Sequence, residues 1–202
     1  ETVRGTDGDR RNDAFARLLD LSRIGTETRL LPGFSRFVRQ RIVDGLVPER
    51  RIFTFDELCA IGESDSAADF HCVTTWSTRE NEWRGVRFRD LCDVVCPDPK
   101  AAFVLLTSAD RAPDTGENYT TNLPLAFCLD DDVMLVHSHD RSPLSREHGG
   151  PVRMFVPRRY AWKSAKWLTR ITFMERDLPG YWEERGYSMT ADPWTDDRYR
   201  RR

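Results

Sequence analysis

Long apolar runs are missing from this chain of 202 residues, and no stretch approaches the length of a membrane span or of the hydrophobic region of a secretory signal. No membrane insertion is expected. Charge imbalance is missing too: 31 basic and 33 acidic residues leave a formal charge of -2, which offers no overall attraction to nucleic acid or to anionic lipid. The basic run at 198–202 reads as a solvated tail. The 5 cysteines (Cys59, Cys72, Cys92, Cys96, Cys128) cannot all pair, and no CxxC spacing occurs, which argues against a disulfide framework and against a zinc ribbon. A reducing, cytoplasmic setting fits this usage, while Glu1 in place of methionine leaves room for a removed leader. Internal repeats are also absent.

What the chain does contain is a series of short strands and brief helices without regular βαβ alternation. That pattern predicts an α+β domain with mixed, mainly antiparallel sheets. Residues 1–40 are expected to form a polar segment with a short helix over 14–21. Residues 41–202 are expected to form one domain over which an aromatic-rich end (Tyr181, Trp182, Tyr187, Trp194, Tyr199) is wrapped. Strands are predicted over 41–47, with a turn at Asp44 and Gly45, and over 51–54, 69–77, 103–107, 133–137, 152–156 and 171–174. Thr54 and Glu57 have the spacing of a capping box that opens a helix, 88–95 resembles another, and 81–86 reads as a turn. The adjacent carboxylates Asp130, Asp131 and Asp132 are poor cation ligands, because consecutive residues rarely converge on one ion.

Chemistry gathers first at Cys72, which stands between His71 and the hydroxyls of Thr74, Thr75 and Ser77. As thiolate it would select a soft or high-valent transition metal; as thiol it would be a packed core residue. Two later segments complement it. In Glu147-His148-Gly149-Gly150-Pro151-Val152-Arg153, paired glycines allow close backbone approach and Arg153 follows a rigid proline. In 160–168, Lys163, Ser164 and Lys166 lie among tryptophans, a combination suited to a phosphate beside a flat heterocycle. Together the three describe a site for a large, anionic, metal-bearing organic cofactor.

The runs HCVTTWS (71–77), YTTNLPL (119–125), LDDDV (129–133), EHGGPVR (147–153) and YAWKSAKW (160–167) resemble the molybdopterin-binding domain of the sulfite oxidase superfamily. The resemblance is closest to small bacterial sulfite-oxidase-like oxidoreductases related to the catalytic subunit of the methionine sulfoxide reductase system. It implies the sulfite-oxidase-type fold, a molybdenum–molybdopterin cofactor and oxygen-atom transfer. It further implies that Cys72 is the molybdenum ligand, that His148 and Arg153 contact the pterin, and that Ser164, Ala165 and Lys166 hold the cofactor. His71 and Thr107 fall among the same contacts. Asn122 and the threonines would line the substrate approach, and an external redox partner would exchange electrons while a small molecule is turned over.

Two departures from the family stand out. Sulfite oxidases proper carry arginines soon after the metal-bound cysteine, whereas Val73-Thr74-Thr75-Trp76 follows here and the nearest arginine is Arg79. That departure argues against sulfite as substrate, and oxygen-atom transfer to or from an S- or N-oxide is the reaction expected instead. Upstream, only 34–39 resembles the family's pterin-touching segment. Two other readings of the residues are a cofactor-free binding module and a zinc hydrolase using Cys72 with His71, His137, His139 or His148, with His137 and His139 on one strand face.

Overall fold

The computed structural model describes residues 40–200. The helix predicted over 14–21, the segment 34–39 and the last two arginines lie outside the described residues. One sheet holds β1 (Gln40–Gly45), β2 (Arg51–Thr54), β5 (Phe103–Arg111), β6 (Asn118–Pro124) and β10 (Leu168–Met174), in the order β2-β1-β10-β5-β6. Its β1–β10 pair is parallel and its other pairs are antiparallel. The second sheet is wholly antiparallel: β3 (Ser64–His71), β4 (Ser77–Arg87), β7 (Met134–His139) and β8 (Ser142–Pro143) follow in order, with β9 (Arg153–Phe155) also paired to β7. Mixed, mainly antiparallel sheets with short helices are thus what the strand pattern foretold.

The helices are α1 (Phe55–Cys59), α2 (Phe88–Val95), α3 (Leu125–Cys128) and α4 (Tyr181–Glu184). The capping box forms at α1: Glu57 accepts from the Thr54 backbone N–H at 2.8 Å, and Thr54 Oγ1 accepts from the Glu57 N–H at 3.2 Å. Helix α2 spans the predicted residues and buries Phe88, Leu91, Cys92 and Val95 on one face, the i, i+3, i+4, i+7 stripe of an amphipathic helix.

The main core lies between the sheets. Val43, Phe53, Val104, Leu106, Leu123, Ile171 and Phe173 come from the first sheet, and Val86, Leu135 and Met154 meet them from the second. Period-2 alternation sends Met134 and Val136 to the other face of β7, where Trp83, Leu144 and Phe155 cover them.

Three sequence expectations are corrected here. The run 81–86 is no turn but the interior of β4, where Asn81, Trp83 and Gly85 alternate inward. Gly85 is required there because a Cβ would stand 2.2 Å from the Leu135 carbonyl oxygen. The strand over 69–77 is a hairpin: β3 stops at His71, and Cys72–Trp76 is closed by the Cys72 N–H donating to Trp76 O at 2.9 Å, with Thr75 at φ 77°. At the first strand the bend comes at 46–49, after β1 has run through Asp44 and Gly45.

Candidate active site

The tip of the β3–β4 hairpin meets the far ends of β5 and β6 around a cavity of about 310 Å³, within the range of small-molecule sites. Cys72, His148, Arg153, Ser164, Ala165 and Lys166 line it together. Residues separated by more than ninety positions are thereby gathered in one place.

Cys72 is 3% exposed and its Sγ lies 3.0 Å from Thr74 Oγ1. It packs in a cluster with Val73, Tyr160, Trp162, Tyr187 and Ala191, against which Trp182 and Tyr199 also rest. The wrapped C-terminal stretch therefore covers this thiol directly, and Arg198 fastens it by donating to the Val73 carbonyl at 2.9 Å.

Across the cavity stands a buried cation. Arg153 is 4% exposed and donates to the carbonyls of His148 (3.0 Å), Ser164 (3.0 Å) and Met154 (3.4 Å). No carboxylate pairs with it among the described residues. Burial draws its pKa down to about 10. Lys166 donates to the Glu147 carbonyl at 2.7 Å, and its pKa falls to about 8, first through burial and then through the charge of Arg153. Two desolvated cations side by side are unfavourable unless an anion joins them. The wall consequently fits an anionic ligand.

The remaining lining suits a planar one. Phe70, Trp76, Tyr119, Trp162, Trp167 and Trp182 all face the cavity. The Ser164 hydroxyl oxygen accepts from the Val156 N–H at 3.0 Å, which leaves its proton for a ligand. His148 is oriented by Ser145, with Oγ and Nδ1 2.8 Å apart. The glycine pair acts differently from expectation. A Cβ on Gly149 would come within 2.8 Å of Lys166 and one on Gly150 within 2.2 Å of the Leu144 carbonyl oxygen. Their close approach is to the protein's own chain, and it seats Lys166.

Three residues singled out from sequence lie elsewhere. His71, the last residue of β3, has Nδ1 2.8 Å from Ser77 Oγ and its ring against Trp194, and it does not line the cavity. Thr107 falls on the face of β5 opposite Leu106 and Ser108, and it is Ser108 that reaches the cavity. Asn122 is fully buried: its Oδ1 accepts from Lys163 at 2.9 Å, and its Nδ2 donates to Asp177 at 2.6 Å. It braces the wall from behind. Among the threonines, Thr120 and Thr121 reach the cavity.

The histidines do not converge on Cys72, which removes the basis for a zinc hydrolase there. A register shift opposite Arg84 and Gly85 inserts His137 into β7, so His137 and His139 part company. His137 meets Glu63 and Phe55; the His139 ring lies tilted 4.3 Å from that of Trp83, and its Nε2 reaches Asn81.

Asp110, Tyr119 and Trp182 line the cavity but were not foreseen as site residues. Burial raises the pKa of Asp110 and of Tyr119.

Comparison with known proteins agrees with this geometry. The family described as oxidoreductase molybdopterin binding domain matches residues 40–182. YuiH of Bacillus subtilis, an uncharacterized oxidoreductase, is 40% identical over 78% of this chain and 76% of its own length. YedZ1 of Azospira oryzae, provisionally named a protein-methionine-sulfoxide reductase subunit, is 31% identical over 72% of this chain, which spans about half of it (53%). Mitochondrial sulfite oxidase of Drosophila melanogaster is 36% identical over 55% of this chain and 20% of its own. The fold matches that of the sulfane dehydrogenase SoxCD from Paracoccus pantotrophus with a TM-score of 0.59 at 23% identity, covering 68% of this chain and 38% of that one. An anion-seeking, aromatic-lined cavity with a buried thiol, on this fold and over this matched length, places the chain in the molybdopterin-binding oxidoreductase family of sulfite oxidase, whose cofactor is molybdenum–molybdopterin.

Proposed function

We propose that this chain catalyses oxygen-atom transfer as an S- or N-oxide reductase, with Cys72 as the protein ligand of molybdenum. The observation that carries the reading is the placement of the buried Cys72 thiol in the same cavity as the uncompensated cation Arg153. When bound, molybdenum–molybdopterin supplies two-electron oxygen-atom chemistry. Arg153, Lys166 and the Ser164 hydroxyl hold its anionic and polar groups, His148 contacts the pterin, and the surrounding tryptophans exclude water.

Substrate enters beside Cys72. The lining contributed by the hairpin there is Phe70, Val73 and Trp76, with no arginine, so a neutral oxide with an apolar substituent is better served than the sulfite anion. Reduction takes up a pair of electrons and a pair of protons and releases water. Electrons come from an external redox partner. The Asp110 carboxyl, which burial keeps protonated to higher pH, and the Tyr119 hydroxyl hold protons at the cavity wall. Residues 41–202 serve as one catalytic domain in this reading.

Cys72→Ser tests it. The exchange is nearly isosteric and replaces a soft donor by a hard one. Folding by circular dichroism should be preserved and oxide reduction by the cofactor-loaded protein lost. Full retention of activity would refute the ligand assignment.

A further inference from the structure

Outside the cavity, a second set of metal-binding side chains comes together. Cys59 ends α1, Glu63 immediately precedes β3, and His137 occupies the irregular step of β7. None of them lines the active-site cavity. Their thiol, carboxylate and imidazole donor atoms all lie within 4.8 Å of one another. His137 Nε2 is buried and stands 2.6 Å from Glu63 Oε1, yet it has no aligned hydrogen-bond partner. Cys59 is a free thiol.

The groups around the set orient its donors toward one point. Arg84 grips Glu63 Oε2 at 3.2 Å from outside, which leaves Oε1 facing the imidazole. Such outer partners orient ligands at metal sites. A hard ion such as calcium or magnesium requires more oxygens than this set offers. One sulfur, one nitrogen and one oxygen, with a fourth position for water, match zinc.

We propose that Cys59, Glu63 and His137 form a second metal site, for zinc or a comparable soft divalent ion, separate from the molybdenum centre. Binding forms a metal–sulfur bond and releases the thiol proton to solvent, with no change of oxidation state. The ion fastens the end of α1 to β7.

Cobalt titration of the cofactor-loaded protein tests this, because Cys72 is then occupied, and a parallel titration uses the Cys72→Ser protein. The expected result in both is a thiolate-to-cobalt charge-transfer band that saturates at about one ion per chain and is displaced by zinc. Cys59→Ser should abolish the band. Glu63→Gln, a change at an exposed position that keeps the side chain's size, should weaken affinity by about tenfold or more, on the scale of a lost metal-site contact. Absence of the band from both proteins, or its persistence in Cys59→Ser, would overturn the proposal.

Discussion

Below pH about 8 the Lys166 ammonium stands charged next to Arg153, and both face the cavity without a carboxylate partner among the described residues. An anionic ligand bound there stabilises the charged form and raises the lysine's pKa. Affinity of the empty protein for the cofactor should therefore be level below about 8 and fall as pH rises through that value, because binding must then take up a proton. Cofactor uptake followed by pterin fluorescence between neutral and alkaline pH checks the sign. Lys166→Gln should bind more weakly and lose the alkaline decline; a decline unchanged in that variant would assign it to another group. His139 carries a pH effect of a different kind. Burial, its largest influence, lowers its pKa, so the folded chain prefers the neutral ring. Its contribution to stability is complete above the unfolded value near 6.5 and is lost as pH falls through the folded one. Denaturation midpoints should drop on acidification in this window, and less so in His139→Gln.

Among the elements, the β3–β4 hairpin does most to position the site, because its tip holds Cys72 and its long second strand packs on β7. Gly85 allows that packing. A methyl group at this position would press on the Leu135 carbonyl, so Gly85→Ala should lower stability by about 2 kcal/mol or more, the range for overpacked interiors, measurable by urea denaturation. The same hairpin marks where sequence reading reaches its limit. Cys72 and the 160–167 segment were legible because their reactive groups are neighbours in the chain. The strand around Gly85 was not: asparagine and glycine suggest a turn, and the inward alternation of Asn81, Trp83 and Gly85 has meaning only once β7 lies alongside. Thr107 and Ser108 stand one position apart, which on a strand is a change of face, and Ser108 is the one that lines the cavity. Asp110 carries no local motif, and Tyr119 opens the run 119–125 without marking itself as a site residue; the β5–β6 pairing delivers both.

At the level of the whole molecule, the C-terminal stretch joins the two walls of the site. Glu183 of α4 pairs with Lys163 at 2.6 Å, both fully buried, and accepts from Trp162 and Thr121 at 3.0 Å. Trp162 and Thr121 both line the cavity. Desolvation dominates the electrostatics of Lys163 and lowers its pKa despite the pair. Removing one partner strands the other charge, so Glu183→Ala should destabilise the fold by about 3–5 kcal/mol, whereas Glu183→Leu combined with Lys163→Met should lose much less. Chemical denaturation of the three proteins separates these outcomes. Tyr187 and Tyr199 pack beside Cys72, while Trp194 stays exposed; that this stretch supplies Trp182 to the cavity and a buried carboxylate behind it had no sign in the sequence, since Glu183 in a charged run does not announce burial.

All of these features serve one claim, that Cys72 binds molybdenum in this cavity. X-ray absorption at the molybdenum edge tests it most directly, comparing the loaded protein with loaded Cys72→Ser. The variant should show one sulfur scatterer fewer around the metal. An unchanged sulfur shell at equal molybdenum content would contradict it.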